Sequence, residues 1–146
     1  MDRSVSTEFE IDVGLSIALT EAGAWVIRAD GREFRLEEIN DFYRVWVLLE
    51  RPFSEVKAAL DQIARSASAV TPFPFAKLIG SALNAKSRQW TDLAMVWVSF
   101  LAAAEKATLK GLLSDVRDSK WASQKIRQLA RKYVNEIERG DPKRLN

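Results

Sequence analysis

Between Trp25 and Leu36 the chain has few conformations open to it. The dipeptide Asp30-Gly31 separates Trp25-Val26-Ile27-Arg28-Ala29 from Arg32-Glu33-Phe34-Arg35-Leu36, and such a pair supplies the positive φ angles that a two-residue hairpin loop needs. Fixing the loop fixes the register. Ile27 then faces Phe34 and Trp25 faces Leu36 on one side, while Arg28 faces Glu33 on the other, so apolar pairs and ion pair separate by face. Upstream, Val13, Leu15, Ile17 and Leu19 alternate with other residues at the period of a half-buried strand, until Glu21-Ala22-Gly23 breaks the pattern. An antiparallel β-meander over residues 9–36 is predicted, with one apolar face that needs a cover.

The cover is predicted to be helical, because after Leu36 the apolar spacing changes to three and four: Ile39, Phe42, Trp46 and Leu49, widened by Val45 and Leu48. Arg51-Pro52 stops this helix. A second starts at Ser54 as N-cap and turns Val56, Ala59, Leu60, Ile63, Ala64 and Ala67 inward. The run Val70-Thr71-Pro72-Phe73-Pro74-Phe75 cannot be regular, since its prolines remove backbone donors and push the preceding residues towards extended conformations. Beyond this boundary the pattern is helical throughout. Phe75, Leu78, Ile79 and Leu83 mark a short helix, and residues 84–87 a turn. Residues 88–105 read as one helix and as the most buried element, with Trp90, Leu93, Trp97, Phe100, Leu101 and Ala104 on one face. Thr108 is the expected cap of a shorter helix bearing Leu109, Leu112, Leu113 and Val116. Ser123 caps the last helix, whose Ile126, Leu129, Ala130, Tyr133, Val134 and Ile137 recur at three and four, and Gly140 followed by Pro142 ends it.

The expected fold class is α+β, mainly α: a small N-terminal antiparallel meander followed by an antiparallel helical bundle. It is read as one domain over residues 1–146, with the meander and two helices in 1–70 and the helical half in 71–146. The chain has no cysteine and no histidine, which excludes disulfides, a thiol nucleophile, imidazole base chemistry and a zinc site built on those ligands. No cofactor is expected. The longest apolar run, Leu93 to Ala104, has 12 residues and is interrupted by Ser99, against about 20 for a membrane span, so no membrane partner is expected. The opening residues MDRSVSTEFE lack a secretory signal's apolar stretch, which makes the expected compartment cytoplasmic.

Charge is segregated. Residues 1–61 hold 7 Lys/Arg against 13 Asp/Glu, residues 62–116 hold 6 against 3, and residues 117–146 hold 9 against 4, within a formal net charge of +2. An acidic first part and a basic last part serve either two partners or the mutual attraction of the two ends of one fold.

From Ser81 to Tyr133 the chain resembles bacterial helical hairpins of HEAT-like type. The resemblance rests on Ser87-Arg88-Gln89-Trp90 with Leu93-Ala94 and Trp97, on Leu112-Leu113, on Asp118-Ser119-Lys120, and on Ser123-Gln124-Lys125-Ile126-Arg127-Gln128-Leu129-Ala130. It implies a HEAT-like bundle offering a surface to another macromolecule, and small bacterial proteins of this look include immunity-protein-like interaction modules.

The candidate partner-binding residues are Glu37, Glu38 and Asp41, clustered at the start of the first helix, and Trp121, the tryptophan that falls outside the expected core faces of Trp25, Trp46, Trp90 and Trp97. Carboxylates at a helix start also stabilise the helix itself, by about 0.3 to 1 kcal/mol each. Glu8, Glu10 and Asp12 alternate and align on one strand face. The cations Lys120, Lys125, Arg127, Arg131, Lys132, Arg139, Lys143 and Arg144 lie on and beside the last helix, where nucleic-acid phosphates would suit them. The helix from Ser54 carries only Lys57 and Arg65 as cations beside Glu55 and Asp61, a poor recognition helix for a winged helix-turn-helix. The reading is a non-enzymatic protein-binding module without metal, most specifically a bacterial immunity protein or antitoxin that occludes a toxin, a basic one where the acidic cluster makes the contact. The alternative is a nucleic-acid-binding module using Lys125, Arg127, Arg131 and Lys132.

Overall fold

A computed structural model of the chain describes residues 8–66 and 71–140. Ala67, Val70, Pro142, Lys143 and Arg144, named above, lie outside them. The fold is α+β and mainly α, with a four-stranded antiparallel sheet followed by helices. The chain divides into two compact units, Met1–Pro74 and Phe75–Asn146.

In the first unit β1 (Glu8–Asp12), β2 (Leu15–Leu19), β3 (Trp25–Ala29) and β4 (Arg32–Arg35) follow one another in the sheet as in the chain. Asp30 and Gly31 take φ of 51° and 79°, the doubly positive turn that suits the right-handed twist of the strands. The predicted register follows: Ile27 pairs with Phe34 and Arg28 with Glu33, and the Leu36 N–H donates to the Trp25 carbonyl. Two details differ. Val13 is no strand residue but sits in the β1–β2 turn, 93% exposed, because Gly14 at φ 74° turns the chain there. The apolar face is not single either: Ile17, Ala18, Leu19, Trp25, Val26 and Ile27 are consecutively buried, as inner strands covered on both sides are.

The segment Ile39–Glu50 is 3₁₀ rather than α, with a kink at Val45. Of its buried residues, Phe42, Val45 and Leu48 follow the three-residue turn of that helix with Leu49 beside them, whereas Ile39 and Trp46 are half-exposed. The next helix, α1 (Phe53–Ser66), begins one residue before Ser54, the Pro52 carbonyl accepting from Glu55 and Val56. Ser54 is therefore inside the first turn and not its cap. Val56, Leu60 and Ile63 are buried on α1. The proline-rich run is irregular, as expected, and is fastened to the sheet: the Trp25 indole N–H donates to the Thr71 carbonyl at 3.2 Å. Phe73 meets Trp25 edge-on at 5.3 Å and Phe42 at 6.0 Å, which moves the boundary between the units four residues past the expected one.

The second unit holds α2 (Phe75–Asn84), α3 (Arg88–Val98), α4 (Ala103–Ala107), α5 (Lys110–Arg117) and α6 (Gln124–Arg139). The expected helix over 88–105 is broken. The Ser99 hydroxyl donates to the Val96 carbonyl at 3.0 Å, and the Phe100 and Leu101 N–H groups reach back only three residues, so the last turn tightens and stops. Phe100 is consequently 57% exposed and Ala104 is exposed on α4. The buried face of α3 is Thr91, Ala94, Met95 and Val98 with Trp97, while Trp90 and Leu93 are half-buried. The most buried helix is α2, where Phe75 and every residue from Leu78 to Leu83 lie inside. Thr108 ends α4 instead of starting α5, its hydroxyl donating to the Glu105 carbonyl. Ser123 caps α6 as expected, accepting from the Ile126 N–H at 3.2 Å. Ile126, Ala130, Tyr133 and Val134 are buried on that helix, and α6 packs mainly on α5 and also on α3 and α4.

One polar atom in this core stands out. The Thr91 hydroxyl, in a side chain only 1% exposed, has no hydrogen-bond partner. A buried unsatisfied hydroxyl costs about 1 to 3 kcal/mol. Thr91→Val keeps the branched shape and removes that cost, so it is expected to stabilise the protein by about 1 kcal/mol, read as a higher urea midpoint at unchanged m-value.

Candidate functional site

The acidic candidates do not form one open patch. The Asp41 carboxylate accepts from the backbone N–H groups of Glu37 at 3.0 Å and Glu38 at 2.8 Å, closing the start of the 3₁₀ segment as half of a capping box. Glu37 is ion-paired with Arg35 at 2.7 Å. Glu38 is exposed at the cap. Asp41 is thus primarily a positioning residue for the segment that carries Phe42.

On the sheet, Glu8 and Glu10 are exposed on β1 and a shift in pairing separates Glu10 from Asp12. Glu8 accepts from the Ser16 hydroxyl at 2.9 Å and from Arg28 at 2.5 Å, and Arg28 reaches Glu33, its expected partner, only at 4.0 Å. The Ser16 hydrogen bond, followed by that of Arg28, holds the Glu8 carboxyl below its usual range. Among the described residues no group of three acidic side chains is arranged to hold a metal ion.

In the second unit Trp121 is half-buried. It lines a half-open cleft of about 440 Å³ with Leu83, Asn84, Lys86, Leu112 and Asp115. Its carbonyl accepts from the Arg88 guanidinium. Arg127, named with the cations, is half-buried and donates to the Ala122 carbonyl at 2.6 Å. It staples the start of α6 and is not a solvated cation. Lys125, Arg131 and Lys132 are exposed on α6, as are Lys120 before it and Arg139 at its end. Asp118 is held low chiefly by a two-point contact with Arg117 at 2.8 and 3.0 Å, with Arg131 adding a smaller effect.

Two features were not anticipated. Val96 and Phe100, 59% and 57% exposed, stand beside the break after α3, and a groove of about 580 Å³ runs between α4 and the end of α6, lined by Ala103, Ala104, Ala107 and Ile137 and rimmed by Lys106, Lys110 and Glu136. Only the helix break reveals the first, and residue spacing carries no signal for it. Ser54 and Lys57 also have the spacing of a serine–lysine nucleophile pair, but Lys57 donates to Asp61 at 2.6 Å on the exposed side of α1. Among the described residues no helix is long and apolar enough to cross a membrane. No protein family, no curated protein and no solved structure matches this chain.

Two outcomes follow from the carboxylates. Asp41→Ala is expected to lower stability by about 1 kcal/mol through the lost cap, measured by urea unfolding, whereas Glu38→Ala changes it by less than about 0.5 kcal/mol. Because Glu8 has a lowered pKa in the fold, its stabilising effect is present above the unfolded-state value and fades as pH falls through the folded one. Glu8→Gln should therefore lower the urea midpoint at pH 7, and by progressively less as the pH is brought down through the folded-state value.

Proposed function

We propose that the chain is a non-enzymatic protein-binding module, acting in the cytoplasm. The observation that supports this best is the exposed pair Val96 and Phe100, in the same unit as the small-residue groove of α4 and α6. Exposed large apolar side chains and a concave apolar strip with a charged rim are both components of protein interfaces, in which one or two large side chains supply most of the affinity. Phe100 is the natural anchor. The rim cations Lys106 and Lys110 fit a partner segment that brings an apolar side chain flanked by carboxylates.

Within that class the finer reading is a bacterial immunity protein or antitoxin that neutralises a toxin by occlusion. Small size, the segregated charge and the resemblance of residues 81–133 to HEAT-like modules motivate it. Glu38, exposed at the cap, is the carboxylate that would steer a basic partner, with Glu37 paired to Arg35 and Asp41 bonded to the backbone behind it. Steering of this kind sets encounter rate more than affinity.

The test is binding to the polypeptide encoded beside this one, followed by size-exclusion chromatography and calorimetry. Val96→Glu with Phe100→Glu is expected to weaken the complex by about 30-fold or more, the scale of a lost anchor, with an unchanged circular dichroism spectrum. Equal affinity of the doubly substituted chain would remove this face from the interface, and absence of any complex would overturn the reading.

A further inference from the structure

Helix α6 has an outer face unlike that of α1. On α1 the exposed side mixes Glu55, Lys57 and Arg65, and Lys57 pairs with Asp61, the usual condition of a solvated helix. On α6 every exposed residue is a cation or an amide: Gln124, Lys125, Gln128, Arg131, Lys132, Asn135 and Arg139. The two acids of the helix, Glu136 and Glu138, are half-buried at its margins, and Glu138 faces Lys110 at 3.4 Å.

The order on this face is specific. Gln124, Gln128, Arg131 and Asn135 succeed one another at four, three and four residues and so form one row of it, while Lys125, Lys132 and Arg139 recur every seven residues along the row beside it. Arginine, glutamine and asparagine are the side chains that make paired hydrogen bonds to guanine and adenine edges, and lysine and arginine beside them neutralise phosphates. The opposite face of α6 is occupied by its packing on α5, α3 and α4, which presents both rows outward along 16 residues, about 24 Å of helix.

We propose that α6 enters the major groove of double-stranded DNA, with Gln124, Gln128, Arg131 and Asn135 towards the bases and Lys125, Lys132 and Arg139 on the backbone. A B-form major groove about 12 Å wide admits a single helix, and the narrow major groove of duplex RNA does not. Arg127 is not part of this surface, because its guanidinium serves the Ala122 carbonyl. The proposal is independent of the protein-binding face at Val96 and Phe100.

Binding is measured by fluorescence anisotropy on the full chain, with labelled 20-base-pair DNA duplexes enriched by it from a randomised pool, the matching RNA duplexes, and poly-glutamate as competitor. The expected result is salt-sensitive binding of DNA with a sequence preference. Lys125→Ala, Lys132→Ala and Arg139→Ala together should reduce the magnitude of the log–log salt slope by about 2.7, at about 0.9 per phosphate contact. Gln128→Ala with Asn135→Ala should leave that slope unchanged and relax the preference between about 5- and 150-fold per base contacted. All five positions are exposed, so circular dichroism is expected to be unaltered. The proposal is overturned by failure to bind the DNA duplexes, by equal affinity for duplex RNA, by a sequence preference that survives loss of the amides, or by equal displacement with poly-glutamate, which would point to an acidic protein instead.

Discussion

Phe73 stands edge-on to Trp25 and to Phe42, and the first unit closes around that contact. Edge-to-face aromatic pairs contribute about 0.5 to 1.5 kcal/mol each beyond the area they bury. Here they join three segments that share no regular backbone bonding: a strand, a 3₁₀ segment and a proline-rich run. The hydrogen bond from the Trp25 indole to the Thr71 carbonyl gives the irregular run a fixed partner for one of its backbone acceptors. Trp25 reaches this position because Asp30 and Gly31 set the hairpin register across the four pairs that separate it from the turn. A turn of two residues thereby determines where the chain leaves the sheet.

Much of this architecture was legible in the residues, for a reason that differs by element. Hairpin pairing depends on local turn geometry and on a period of two, both visible in Trp25 to Leu36. The last helix depends on a period of three and four and on Ser123, equally visible. The helix over Ile39–Glu50 is legible as helical but not as 3₁₀, because Phe42, Val45, Leu48 and Leu49 are compatible with both periods, and only packing against the sheet selects between them. The break after Val98 was missed since the apolar run continues through it, and a single hydroxyl, that of Ser99, competes for the Val96 carbonyl. The inner face also differs from the expected one: Met95 and Val98 are buried and Phe100 is exposed.

The candidate site was legible only by residue type. Position along the chain identified Glu37, Glu38, Asp41, Arg127 and Trp121 but not what each side chain touches. Asp41 and Arg127 turn to backbone groups of their own neighbourhoods, contacts that depend on rotamer and loop path and leave no trace in spacing. Lys125, Arg131 and Lys132, by contrast, are exposed as the helical period requires. A helix surface can be read from sequence when its period is regular, whereas a loop-borne carboxylate cannot.

The side chains whose acidity the fold displaces are moved away from neutrality. Glu8 and Asp118 are drawn down by their hydrogen-bond partners, and burial pushes the Tyr133 phenol up. With no imidazole and no thiol in the chain, no side chain is left whose ordinary titration falls between the carboxylates and the amines. A switch built on an imidazole or a thiol is therefore closed to this chain, and its contacts are left to respond to ionic strength and concentration.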